Sequence, residues 1–235
     1  MNIALFGYGK MGKEIEAIAL KRNHNVVLKI NKSNVDSITA SDLKKADVII
    51  EFSTPHVVLE NIKKCINAQV PVVVGTTGWY DNFSDVQKLC SNNNGALFHA
   101  TNFSLGVNLF FKVNTYLAEL MNKYNDYEVS MEEIHHIHKL DKPSGTAITL
   151  AEQIISKIEK KKKWSIEKSD PETLFIHDVR EGEVPGTHII KYQSEVDDIE
   201  IMHKAHNRKG FALGAVIAAE FLNGKKGIYT MSDII

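Results

Sequence analysis

The most chemically loaded stretch of the chain runs from Glu133 to Ala147, EIHHIHKLDKPSGTA, with three histidines and a lysine followed by a proline, serine and glycine. His135 and His136 can donate or accept protons near neutral pH, and Lys139 can supply a positive charge or a proton. Pro143-Ser144-Gly145-Thr146 leads into an apolar pattern at Ile148, Leu150, Ile154 and Ile155, so it predicts a helix start whose free backbone donors can hold a carboxylate; Gly145 permits close approach. Three readings of this stretch stand side by side: proton-transfer catalysis, a metal site, and polar residues that satisfy a domain junction. Adjacent His135 and His136 fall on opposite sides of a strand and no cysteine cluster accompanies them, which weakens the metal reading. For His135 and Lys139 to meet, the chain must turn after the strand, as Asp-Lys-Pro-Ser-Gly permits.

A second constellation opens the chain. Gly7-Tyr8-Gly9-Lys10-Met11-Gly12 is a GxGxxG match placed directly after an apolar run and before a helical pattern, where a dinucleotide's pyrophosphate meets a helix N-terminus. Gly75-Thr76-Thr77 follows the buried run Val72-Val73-Val74, and Ala100-Thr101-Asn102-Phe103 follows another strand-like run. These segments, with Phe52-Ser53-Thr54, share the strand-end rim that binds ligands in doubly wound folds. Asn31 and Lys32 stand at the end of the second strand. Asn31 lies 19 residues after Gly12, where such folds usually carry an acid for the ribose. Without that carboxylate, Asn31 can still bond a ribose hydroxyl, and Lys32, Ser33 and Lys29 are candidates for a 2′-phosphate; NADPH is expected to serve at least as well as NADH.

The elements that must position these groups follow from periodicity. Strands are expected at Ile3–Phe6, Val26–Ile30, Val48–Phe52, Val72–Val74 and Ala96–His99, alternating with helical patterns at Ile15, Ile18, Ala19 and at Val58, Leu59, Ile62, Ile66. After Asn102 the pattern changes to a helix over Leu105–Asn122, a strand over Tyr127–Glu133 and a helix over Ala147–Ile158. Strands at Leu174–Val179, Gly186–Gln193 and Asp198–Ala205 follow, then a helix at Phe211–Leu222. The charge-rich segment from Glu159 to Pro171 is expected to be an exposed connection. The fold class is α/β: a Rossmann-type parallel-sheet nucleotide domain with a central α+β domain.

At 235 residues, with 43% hydrophobic and 24% charged residues, the composition is that of an ordinary globular protein. A formal charge of −1 supplies no field for nucleic acid or an anionic membrane, so neither is expected as a partner. Cys65 and Cys90 form no disulfide framework and are expected as buried thiols in a reducing cytoplasm. No signal-peptide pattern is read at the N-terminus, and Phe211–Leu222 is too short for a membrane span.

GYGKMG, FSTP, VVVGTTGW, ATNFSLGVN and EEIHHIHKLDKPSGTA, in that order, resemble the motifs of the 4-hydroxy-tetrahydrodipicolinate (dihydrodipicolinate) reductase family, and REGEVPGTH and GIYTMSDII extend the likeness over almost the whole chain. The resemblance implies a dinucleotide-binding domain from residues 1–102 plus 209–235 and a substrate-binding and oligomerisation domain from 103–208, commonly in a homotetramer, with hinges that close over the cofactor. It implies NADPH or NADH as cofactor and a small cyclic dicarboxylate substrate; with hydride from the cofactor, and Lys139 and the helix end to neutralise substrate charge, no metal is expected. By motif position His135 resembles the family's proton donor or acceptor, Lys139 its proton donor, His136 a substrate ligand, and Gly145 and Thr146 the backbone clamp of a carboxylate. Rival readings are another two-domain dehydrogenase and a non-catalytic nucleotide sensor, which would keep the glycine loop but need no acid pair.

Overall fold

The computed structural model describes residues 1–235. Along the chain, β1 (Asn2–Phe6), α1 (Lys10–Lys21), β2 (Asn25–Ile30), α2 (Ala40–Leu43), β3 (Val48–Glu51), α3 (Val58–Asn67), β4 (Val72–Val74), α4 (Phe83–Asn92) and β5 (Ala96–His99) form an alternating run. Then come α5 (Leu105–Met121), β6 (Glu128–His135), α6 (Gly145–Lys157), β7 (Lys163–Ser165), β8 (Thr173–Arg180), β9 (Thr187–Gln193) and β10 (Asp198–Lys204), and finally α7 (Lys209–Leu222) and β11 (Gly227–Tyr229). Two compact units result, one of residues Met1–Leu105 with Lys209–Ile235, the other of Gly106–Arg208.

The first unit is a six-stranded sheet in the order β11-β5-β4-β3-β1-β2, with every pair parallel. Its four central strands, β1, β3, β4 and β5, are buried on both faces, so they read as nearly continuous apolar runs. In β1, Ile3 and Leu5 enter a core with α1 and α7, through Ile15, Ala19, Ala215 and Ala219. Ala4 and Phe6 face the opposite core, with Val58 and Ile62 of α3 and Val86 of α4. Strand order reverses at β1, which has β2 on one side and β3 on the other; ligands bind doubly wound sheets in the crevice at such a switch point.

The second unit is a mixed five-stranded sheet, β10-β9-β6-β8-β7, in which β6 pairs antiparallel with β9 and parallel with β8. Ala147, Leu150, Ala151 and Ile154 of α6, at helical spacing, pack against Val129 and Met131 of β6 and Ile176 and Ile190 of its neighbours.

The α/β class and the strands named from periodicity are present. The stretch from Glu159 to Pro171 differs from expectation, because it contains edge strand β7 and the buried Lys161. Lys161 Nζ donates to the carbonyls of Pro171 (3.1 Å) and Thr173 (3.0 Å) and to Glu128, so a residue type usually found in water here closes the loop. Cys65 and Cys90 are free and buried. No helix is long and apolar enough to cross a membrane.

Candidate active site

In the first unit, the C-terminal ends of β1, β2 and β3 surround a cavity of about 520 Å³ lined by Gly7, Tyr8, Gly9, Asn31, Lys32 and Thr54, among others. The three glycines of the opening loop have separate steric reasons. Gly7 has φ +93°, and a Cβ there would strike the Phe52 carbonyl oxygen at 2.0 Å. A Cβ on Gly12 would strike the Gly7 carbonyl oxygen at 2.3 Å, so Gly12 lets α1 pack against the loop. Around Gly9 nothing lies within 4 Å, which leaves the backbone open to a ligand. The first turn of α1, with Lys10, Met11 and Gly12, carries neither a capping side chain nor an acid. Its N–H groups and the helix dipole suit an anion, so these residues fit a dinucleotide pyrophosphate.

Side chains around the cavity are partly committed. Tyr8 Oη donates to Glu16, and Lys29 Nζ pairs with Glu16 at 2.5 Å; these contacts hold the Glu16 carboxyl below its ordinary range. Lys29 is therefore occupied rather than presented to a 2′-phosphate. The Asn31 side-chain oxygen accepts from the Ser33 N–H (2.8 Å) and Oγ (2.7 Å), so its amide NH2 is the group that remains for a ribose. Lys32 is exposed. Gly75, Thr76 and Thr77 follow β4, and the buried Thr76 accepts from the Ser53 N–H at 2.8 Å. Ala100, Thr101 and Asn102 follow β5, whereas the Phe103 ring packs in the core 5.6 Å from that of Phe52, leaving only its backbone for a ligand.

In the second unit the buried face of β6 changes chemistry along its length. Val129 and Met131 face the apolar core; two and four residues on, Glu133 and His135 face the same way. Register places His188 of β9 and Asp178 of β8 directly opposite Glu133, and Arg180 opposite His135. Glu133 is fully buried. Its Oε1 accepts from the Ser144 N–H at 2.8 Å, and its Oε2 from Ser144 Oγ. His135 Nδ1 lies 3.3 Å and His188 Nε2 3.5 Å from that same Oε2. Burial pushes the Glu133 carboxyl up, but the two imidazoles and Ser144 outweigh burial and hold it well below the usual carboxylate range. Burial, with the nearby His135 and Lys139 charges, lowers the pKa of His188 despite the Glu133 carboxylate.

Ser144 is also the N-cap of α6, accepting from the Ala147 N–H at 3.2 Å. The first turn beyond it carries no acid, and nothing lies within 4 Å of where a Gly145 Cβ would be. Gly145 and Thr146 thus begin a helix end suited to a carboxylate, anchored on the carboxylate that faces His135.

After His135 the chain turns, the Lys139 N–H reaching the His136 carbonyl at 3.1 Å. Lys139 Nζ is held by both oxygens of Asp141. Arg180 donates to the Asp141 carbonyl at 2.8 Å, pairs with Asp178 and lies 3.9 Å from Glu133 Oε1, so it fixes this loop to the sheet. His136 is half-buried, and His138 is exposed and pairs with Glu183 at 3.2 Å. The cluster with metal-ligand spacing is Glu133, His135 and His188, within 4.8 Å of one another, rather than the three neighbouring histidines of the motif.

Sequence reasoning assigned no role to Glu133, Arg180 or His188, although the last two bound the REGEVPGTH segment. Burial of Glu133 was signalled by its place two residues before His135 on an alternating strand.

Comparison with known proteins places the chain in a family. Family models described as dihydrodipicolinate reductase, N-terminus, and dihydrodipicolinate reductase, C-terminus, match residues 1–103 and 106–235. The 4-hydroxy-tetrahydrodipicolinate reductase of Christiangramia forsetii is 49% identical, covering 100% of this chain and 98% of its own length. That of Neisseria gonorrhoeae is 35% identical over 94% of this chain and 83% of its own. The solved dipicolinate-bound dihydrodipicolinate reductase from Paenisporosarcina sp. TG-14 shares the fold, with a TM-score of 0.82 at 23% identity, covering 100% of this chain and 99% of its own. With both halves matched, the chain belongs to the dihydrodipicolinate reductase family.

Proposed function

We infer that this chain reduces 4-hydroxy-tetrahydrodipicolinate, with loss of water, to tetrahydrodipicolinate, using NADPH or NADH, in the diaminopimelate route to lysine in the cytoplasm. The observation that carries the reading is the juxtaposition of His135 with the N-terminus of α6 on one buried carboxylate: a proton-transfer group and a carboxylate cradle within a family of reductases.

In this reading Gly7–Gly12, Asn31 and Lys32, with Gly75–Thr77 and Ala100–Phe103, bind the nucleotide. When bound, the reduced nicotinamide supplies the hydride. Hydride addition to a conjugated, electron-poor ring builds negative charge, and expulsion of hydroxide requires a proton; one proton is consumed and one water released overall. His135 and Lys139 are the acids for that chemistry, and the Gly145 and Thr146 N–H groups hold one substrate carboxylate while His136 contacts the ring's polar edge. Orientation by two carboxylates fixes the reacting carbon.

The assembly is a homotetramer formed through the second unit. Support comes from α5, on which Leu109, Val113, Tyr116 and Leu120 recur at helical spacing while 44–66% exposed, and from edge strand β10, which presents Ile199 and Met202. Light scattering is expected to give four chains, and Val113→Glu to lower that number.

Calorimetric titration tests the two binding functions separately. NADPH and pyridine-2,6-dicarboxylate, a planar stand-in for the substrate, are both expected to bind. Nucleotide affinity with none for the dicarboxylate, even with NADPH present, would instead support a nucleotide sensor.

A further inference from the structure

Within the reductase reading above, the group that has no assigned part is the only fully buried acid of the second unit, Glu133. A buried carboxylate is costly unless every lone pair is met, and loss of its partners is costlier still. Here Ser144 supplies two donors, and His135 Nδ1 lies 3.3 Å from Oε2. No other partner reaches that Nδ1, which is buried. A bare Nδ1 lone pair facing an anionic oxygen would be repulsive, whereas Nδ1–H satisfies both atoms. His188 closes the same oxygen from the neighbouring strand, its Nε2 3.2 Å from Ser144 Oγ. On the far side of the ring, a Cβ at Gly186 would meet His135 Nε2 at 3.0 Å, so the glycine leaves the imidazole its space. The charged groups nearest this cluster are Arg180, 3.9 Å from Oε1, and Lys139.

We propose that Glu133 is the positioning residue of the reaction: its carboxylate fixes His135 as the Nδ1–H tautomer, which leaves Nε2 as the atom that exchanges protons, and through Ser144 it ties the same imidazole to the helix end that holds the substrate carboxylate. Proton transfer and substrate orientation then depend on one acid that touches neither ring nor cofactor. A tautomer lock of this kind acts on turnover more than on nucleotide affinity, since the other tautomer would carry the basic lone pair at the buried Nδ1, leaving Nε2 unable to take up the proton that His135 then delivers as an acid.

The experiment has two arms. Nitrogen-15 NMR of the wild-type protein at neutral pH is expected to find a proton on His135 Nδ1; a bare Nδ1 would overturn the proposal, and this arm needs no variant to fold. In the second arm, Glu133→Gln is expected to lower kcat about a hundredfold, to weaken pyridine-2,6-dicarboxylate binding, and to leave the NADPH Kd within about twofold, while Glu133→Asp recovers part of kcat. Wild-type turnover in Glu133→Gln, or an Asp variant as impaired as the Gln one, would overturn it. If the wild-type enzyme bears the Nδ1 proton but does not reduce the substrate, the functional reading fails and the tautomer assignment stands.

Discussion

Lys139 donates to both carboxylate oxygens of Asp141, at 2.8 Å each, two residues along the same loop. Asp141 is itself held below its ordinary pKa chiefly by that lysine, so the charge expected to meet a substrate carboxylate is already paired. The pair is exposed on the aspartate side, 60%, and such pairs contribute at most about 1 kcal/mol. A dicarboxylate can therefore displace Asp141 at low cost. Lys139→Ala is expected to lower kcat/KM by at least about a hundredfold while the NADPH Kd stays within about twofold, and His135→Gln to lower kcat with the fold intact. Asp141→Asn is expected to tighten pyridine-2,6-dicarboxylate binding. A Lys139→Ala enzyme whose main defect is nucleotide binding would contradict this assignment.

Cofactor choice rests on the end of β2. With Lys29 held by Glu16 and the Asn31 oxygen taken by Ser33, no carboxylate repels a 2′-phosphate and Lys32 remains exposed beside the cavity. Steady-state kinetics with both nucleotides should show NADPH used at least as well as NADH; a tenfold preference for NADH, about 1.4 kcal/mol, would contradict that. Asn31→Asp should move the ratio toward NADH, and an unchanged ratio would remove residue 31 from ribose recognition.

The features legible in the sequence are those that lie close along the chain. Gly7, Gly9 and Gly12 sit within one turn, and the alternation of β1 between two cores is written in five residues. The acid-base segment was legible for the same reason. His188 and Arg180 were not, because they meet Glu133 and His135 through strand register across more than forty residues, which spacing does not encode. Lys161 was hidden in a run of lysines whose composition signals solvent, and three-residue β7 is too short for a period.

Two buried acids give opposite pH signatures. Glu133 is held below its ordinary value, so its contribution to stability is present above the unfolded pKa near 4.5 and is lost as pH falls below that. Burial raises Glu51, at the end of β3, despite the bonds it accepts from Ser53 and Asn61, so ionising it penalises the fold as pH rises above about 4.5. Thermal melts between pH 4 and 8 should find Glu133→Gln less stable than wild type at pH 7, with the gap narrowing in acid. Glu51→Gln should match or exceed wild type at pH 7, and its advantage should also shrink in acid. Parallel curves for either variant would refute its assignment.

Lys161 is expected to matter for folding and not for chemistry. Lys161→Ala strands two carbonyls that now accept its protons, at a cost of about 2–4 kcal/mol. The melting temperature should fall by several degrees while kcat at low temperature is retained; an unchanged melting temperature would show the bonds to be of no consequence.

Turnover is the most direct measure of the reductase activity. Freshly generated 4-hydroxy-tetrahydrodipicolinate is supplied with NADPH in buffer containing a metal chelator, and absorbance of the reduced nucleotide is followed. Substrate-dependent oxidation of NADPH is expected, unaffected by the chelator and nearly abolished by Lys139→Ala. No substrate-dependent loss of absorbance with folded wild-type protein would contradict it, and activity that vanishes with the chelator and returns with one divalent metal would recast Glu133, His135 and His188 as its ligands.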